Sequence, residues 1–204
     1  TPLNTIVNLS KEISTETQED STRKNSLLIK DSSFSLLSSV NDILDFSKIE
    51  KGTLQLEHVP FELQPILDRL VSNMSYRAKV QGLEFTYLPA SNLPKKIIGD
   101  PLRLSQILSN VLNNSIKFTS KGQVLFEIKC SAKCDTKVDL HFTISDTGIG
   151  IPKEKMDSIF ESFTQESINN KRKYGGLGLG LYLVKTLTDK HHGTVELNSA
   201  VGEG

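Results

Sequence analysis

The first 52 residues hold one proline, Pro2, at their start and one glycine, Gly52, at their end. Nothing between them breaks a helix, and the apolar residues recur at helical spacing. Leu3, Ile6, Val7, Leu9 and Ile13 come first. After the polar stretch 14–25 follow Leu27, Phe34, Leu37 and Leu44, beside Ile29, Leu36, Val40 and Ile43. The pattern predicts an antiparallel helical hairpin with 14–25 as its loop. The second set forms two adjacent stripes, a face too wide for one neighbouring helix to cover. Pairing two hairpins into a dimeric four-helix bundle covers it most economically; packing of the hairpin on the rest of its own chain is the alternative.

Gly52 closes the hairpin and divides the chain into residues 1–52 and 53–204. Beyond it the pattern changes. Residues 54–61 alternate like a strand, 63–80 read as a helix with Pro65 in its first turn, and 83–88 read as a strand. Asp100 followed by Pro101 is a helix start, opening a helix to about Lys117. Residues 124–131 and 138–146 are β-rich and able to pair as a hairpin. A helix over 177–191 and a closing strand over 194–198 complete the reading. Strands and helices mix without strict alternation, which predicts an α+β fold, a two-layer sandwich with helices on one face of a mixed sheet.

Lys plus Arg is 24 and Asp plus Glu is 24, so the formal net charge is zero. That balance excludes general nucleic-acid binding, which needs a basic excess. The sequence holds no apolar run long enough to span a membrane, and Thr1-Pro2-Leu3-Asn4 is not a signal peptide. Cys130 and Cys134 make no disulfide framework and lack the second ligand pair of a zinc site. The expectation is a cytoplasmic piece of something longer.

Three segments carry candidate chemistry. Asn110, Asn114 and Lys117 step by four and three, so their side chains share one face of the predicted helix. Two amides and an ammonium in a stripe suit a triphosphate with its metal, since an amide oxygen is a hard ligand for Mg²⁺ and lysine a point charge for phosphate. A solvated helix face accounts for the same residues. Asp146, Gly148 and Gly150 follow a strand; the carboxylate can accept from an amine such as adenine N6, and the glycines let backbone approach a base. Many ordinary turns share that composition. Gly175, Gly176, Gly178 and Gly180 lead into a helix, where backbone N–H groups bind anions. No Gly-Lys-Ser/Thr follows, which excludes a Walker P-loop, and the polar residues 168–174 exclude the strand that a Rossmann turn needs. Between these segments lie Phe160 and Phe163, then Lys171, Arg172 and Lys173, the composition of a lid over phosphate; core anchoring explains the phenylalanines equally well.

In this order the motifs resemble those of sensor histidine kinases, particularly the hybrid type with a fused receiver domain. Asn110, Asn114 and Lys117 match the N box, Asp146, Gly148 and Gly150 the G1 box, Phe160 and Phe163 the F box, and Gly176, Gly178 and Gly180 the G2 box. The resemblance covers nearly the whole chain. It implies a dimerisation and phosphotransfer hairpin joined to an ATP-binding sandwich of the GHKL or Bergerat type, shared with gyrase. It further implies that ATP and Mg²⁺ are the cofactors, with Asn114 on the metal, Lys117 and Asn110 at the phosphates, Asp146 on the adenine amine and Phe118 flanking the base. Gly148, Gly150, Ile151, Phe163 and Tyr174 would line the nucleotide. Gly176, Leu177, Gly178, Leu179, Gly180 and Leu181 would form the lid hinge and phosphate cradle, and Arg172 would reach the γ-phosphate.

The same resemblance separates a kinase from an ATPase. The ATPase relatives carry Glu as a general base four residues before the metal Asn; here that position is Asn110, which takes no proton at neutral pH. Slow hydrolysis and transfer to a side-chain nucleophile are implied. The family's phosphoacceptor His would lie just upstream of Thr1, and Thr1 matches the residue that positions water for dephosphorylating the receiver. His58, His141, His191 and His192 lie off the hairpin. The usual Thr between the G2 glycines is Leu177 here, which removes one hydroxyl contact. Implied partners are a second copy, through the hairpin, and a receiver domain in cis or trans. A nucleotide-binding regulatory module without kinase activity is the alternative, and a gyrase-class hydrolase a third that Asn110 opposes.

Overall fold

The structure, a computed structural model, describes residues 2–17, 19–134, 137–163 and 177–204. The chain divides into two compact units, Thr1–Leu54 and Gln55–Gly204.

In the first unit, α1 (Pro2–Glu16) and α2 (Asp20–Glu50) pack on each other. The loop is shorter than the polar stretch suggests, because helix resumes at Asp20. Side-chain bonds tie down the first turn: the Glu19 carboxylate accepts from Ser21 Oγ and Thr22 Oγ1, each at 2.8 Å, and its carbonyl accepts from the Arg23 N–H at 3.0 Å. The Thr22 and Ser21 hydroxyls hold that carboxyl below the ordinary range. Buried positions on the two helices include Val7, Ser10 and Ser14 on α1 and Ser26 and Ser33 on α2. Ser14 and Ser33 return their hydroxyls to the Lys11 and Ile29 carbonyls, which leaves small, satisfied side chains at these sites. Ile6, Leu9 and Ile13 on α1, and Leu27, Phe34, Leu36, Val40, Ile43 and Leu44 on α2, remain exposed.

The second unit runs β1 (Val59–Glu62), α3 (Leu63–Val80), β2 (Glu84–Leu88), β3 (Lys96–Gly99), α4 (Pro101–Phe118), β4 (Gln123–Cys134) and β5 (Lys137–Asp146). Short 3-10 turns at Lys153–Lys155 and Ser158–Phe160 precede α5 (Gly180–Lys190). β4 is the centre of a mixed three-stranded sheet, parallel to β2 and antiparallel to β5, with Phe126 opposite Tyr87 and Ile144. The core lies between this sheet and the helices: Leu67 and Met74 of α3, Leu112 and Ile116 of α4, and Val124, Phe126 and Ile128 of β4 are each at most 1% exposed. This is an α+β two-layer sandwich.

α4 starts where Asp100-Pro101 places it. The Asp100 carboxylate is buried and accepts from the Arg103 N–H at 3.0 Å, while its other oxygen accepts from the Glu57 N–H at 3.1 Å.

The strand expected over 54–61 is confined to Val59–Glu62. The Glu57 donor is taken by Asp100, and pairing begins only where Val59 meets Gly99. The partner strand β3 was not read from sequence at all; it is four residues long and follows Pro94 and Lys95. The closing strand expected over 194–198 is absent. β-propensity there finds no ladder, and the residues that follow bond instead to the turn after β5. The last helix begins at Gly180 rather than Leu177, with Leu179 as its buried N-cap. Among the described residues no helix is long and apolar enough to cross a membrane.

Candidate functional site

The buried face of α4 consists of Leu108, Leu112, Ser115 and Ile116, which leaves Asn110, Asn114 and Lys117 half-buried on another face. The two ends of this polar stripe are fixed by different elements. Asn110 Nδ2 donates to the Gly180 carbonyl at 3.3 Å, tying α4 to the start of α5. One turn along the stripe is Asn114, whose amide has no hydrogen-bond partner among the described residues. Burial pushes the Lys117 ammonium below the ordinary lysine value of 10.5, and its Nζ lies 4.8 Å from the Phe118 ring centroid.

The far end of α4 carries the turn after β5. The Phe118 carbonyl accepts from the Ile149 N–H at 3.3 Å. Asp146 Oδ1 accepts from the Gly148 N–H at 3.0 Å, so this carboxylate shapes its own turn with one oxygen and keeps the other for a donor. Gly148 is packed beneath both partners: a Cβ there would stand 2.7 Å from the Phe118 carbonyl oxygen and 2.8 Å from Asp146 Oδ1. Two residues on, Gly150 has φ of +67° and closes the turn in a conformation that side chains resist. Ile151 is half-buried and donates its N–H to Ser199 Oγ at 2.8 Å.

Phe163 has φ of +61°, costly for a residue other than glycine, and its N–H donates to the Gly178 carbonyl at 3.2 Å. This bond joins the residues on either side of 164–176. Leu177, Gly178 and Leu179 lead directly into α5, where Gly180 and Leu181 open the helix. Thr1, Arg172, Tyr174 and Gly176 lie outside the described residues.

The structure thus brings the N-box face, the Asp146 turn and the entry to α5 onto the C-terminal half of one helix. From Asn110 to Phe118 is about 12 Å of helix axis at the standard rise. Asn114 and Lys117 lie between the two anchored ends. A cavity of roughly 350 Å³ lined by Leu70, Met74, Leu102 and Asn113 lies elsewhere, between α3 and α4, and includes none of these groups. Ser199 was not singled out from the sequence, because its contact spans 48 residues and no local pattern marks it.

Residues 99–204 match the family described as histidine kinase-, DNA gyrase B-, and HSP90-like ATPase. The signal transduction histidine-protein kinase BarA of Escherichia coli (strain K12) is 38% identical over the whole chain, which spans 22% of that protein. Hybrid signal transduction histidine kinase A of Dictyostelium discoideum is 37% identical, again over the whole chain and 10% of its own length. Full-length ShkA, solved in complex with AMPPNP, superposes with a TM-score of 0.70 at 31% identity, covering 99% of this chain and 41% of that one. The chain therefore spans less than a quarter of BarA and of the Dictyostelium kinase.

Proposed function

The chain belongs to the histidine kinase-, DNA gyrase B- and HSP90-like ATPase family, and from that premise we propose that it is the catalytic core of a two-component histidine kinase. Residues 53–204 form the ATP-binding catalytic domain in this reading, and residues 1–52 the dimerisation and phosphotransfer hairpin. The observation that carries the proposal is the α4 stripe, pinned by Gly180 at one end and by the Asp146 turn at the other. The exposed apolar residues of α1 and α2 support a homodimer through the hairpin. Hybrid kinases among the relatives support a receiver domain as the onward acceptor, in cis or trans, and a cytoplasmic location follows from that role.

The residues present fit Mg²⁺ and ATP. Among the described residues no three His, Cys, Asp or Glu side chains cluster as a protein cage for a metal. A single amide oxygen at Asn114 suits a cation that takes most of its ligands from phosphate and water. Bound Mg²⁺·ATP supplies the γ-phosphoryl group and a cation that offsets its charge. Asp146 orients the base through its unshared oxygen. Lys117 presents a half-buried ammonium to the phosphates, and desolvation strengthens that attraction. Asn110 holds α5 against α4 and offers no base for activating water, which favours transfer to an imidazole over hydrolysis.

The test is γ-labelled ATP given to the full-length protein. The expected product carries acid-labile, base-stable label on histidine, with little free phosphate. Rapid phosphate release without protein label contradicts the proposal.

Lys117 gives a prediction with a definite sign. Because burial lowers its pKa, the ammonium is lost at a lower pH than for an ordinary lysine, and the phosphate attraction is lost with it. ATP affinity is expected to fall about tenfold as pH rises toward 10.5, the ordinary value. Lys117→Arg, charged throughout that window, is expected to remove the fall; titration calorimetry across the pH series checks both.

A further inference from the structure

The glycines of the Asp146 turn account for its shape but not for what holds it in place. Ser199 Oγ accepts from the Ile151 N–H at 2.8 Å and donates to the Gly204 carbonyl at 2.7 Å. The Gly202 N–H donates to the Ile149 carbonyl at 2.9 Å, and the Ala200 N–H to Gly204 at 2.9 Å. Residues 199–204 therefore clasp the same turn that the Phe118 carbonyl holds from α4. The fit is close, since a side chain at Gly150 would strike the Ala200 carbonyl.

We propose that Ser199 is a positioning residue for nucleobase recognition, fixing the turn so that the unshared Asp146 oxygen meets an amino group and repels a carbonyl at the same place. The inference rests on the reading of Asp146 as the group that accepts from adenine. Adenine presents an N6 amine where guanine presents the O6 acceptor. A carboxylate held in register separates the two bases sharply, whereas one on a loosened turn yields to guanine by moving aside. A hydroxyl suits position 199 because it accepts and donates at once. Alanine leaves Ile151 and Gly204 without that link, and threonine keeps the hydroxyl.

The experiment titrates the 204-residue chain and its Ser199→Ala and Ser199→Thr variants with Mg²⁺·ATP, Mg²⁺·GTP and Mg²⁺·tripolyphosphate. Ser199→Ala is expected to lower the ATP-to-GTP affinity ratio about fivefold or more. Its tripolyphosphate affinity is expected to stay within about twofold of wild type, and Ser199→Thr to keep the wild-type ratio. An unchanged ratio in Ser199→Ala overturns the proposal, as does parallel loss of tripolyphosphate binding, which marks a merely structural role. A wild-type chain that binds ATP and GTP alike overturns the Asp146 reading and this inference together. Gly202→Ala carries the same prediction should Ser199→Ala not fold: its methyl meets open space, but φ of +84° disfavours any side chain and loosens the clasp.

Discussion

Asp146→Asn is expected to weaken ATP binding by about 10- to 100-fold, the effect of leaving one buried donor without an acceptor. The reason is a count of lone pairs. Asp146 accepts from the Gly148 N–H with Oδ1 and has a second oxygen for the base amine. Asparagine has one oxygen, so either orientation of its amide turns an NH₂ toward another donor. If the oxygen stays with Gly148, the NH₂ faces adenine N6; if the amide flips, it faces the Gly148 N–H. The first orientation offers a donor to guanine O6, so GTP affinity is expected to rise relative to ATP. Equilibrium titration with both nucleotides checks the affinity and the change in preference. Unaltered ATP binding would remove Asp146 from the site.

Asn114→Ala is expected to lower Mg²⁺·ATP affinity by about 100-fold, the loss of one charge-assisted contact. Asn114 lies between the two pinned ends of the α4 stripe, and its amide is free of hydrogen bonds to other described residues. Replacing it therefore disturbs little else in the fold, and a change in melting temperature is not expected. Adenosine without phosphate or metal is expected to bind the variant as it binds wild type, because the Asp146 turn is untouched. Equal losses for adenosine and Mg²⁺·ATP would place Asn114 in the scaffold rather than at the metal.

The parts of this molecule that could be read from sequence are those set by short-range periodicity. The 3.6-residue repeat put Asn110, Asn114 and Lys117 on one face of a helix, and Asp100-Pro101 marked its start, as observed. The β-rich runs 124–131 and 138–146 pair as β4 and β5, as expected. What was not legible depends on partners distant in the chain. The strand over 54–61 lost its first half because Asp100, 43 residues away, takes the Glu57 N–H. β3 is too short to show a period, and 194–198 has strand propensity without a ladder. In the hairpin, bonds from the Ser21 and Thr22 hydroxyls to the Glu19 carboxylate accompany the start of α2 in a stretch whose composition reads as loop. The motifs named the turn at Asp146, but its brace at Ser199 follows from no local pattern.

One titration bears on the whole account. Amide resonances of the isotopically labelled chain, followed while Mg²⁺·ATP is added, report the backbone positions other than proline at once. Asn114, the residues from Asp146 to Ile151 and those from Leu177 to Leu181 are expected to shift together, with one shared saturation curve. Shifts confined to the α3–α4 cavity, or separate curves for the three segments, would contradict a single nucleotide site.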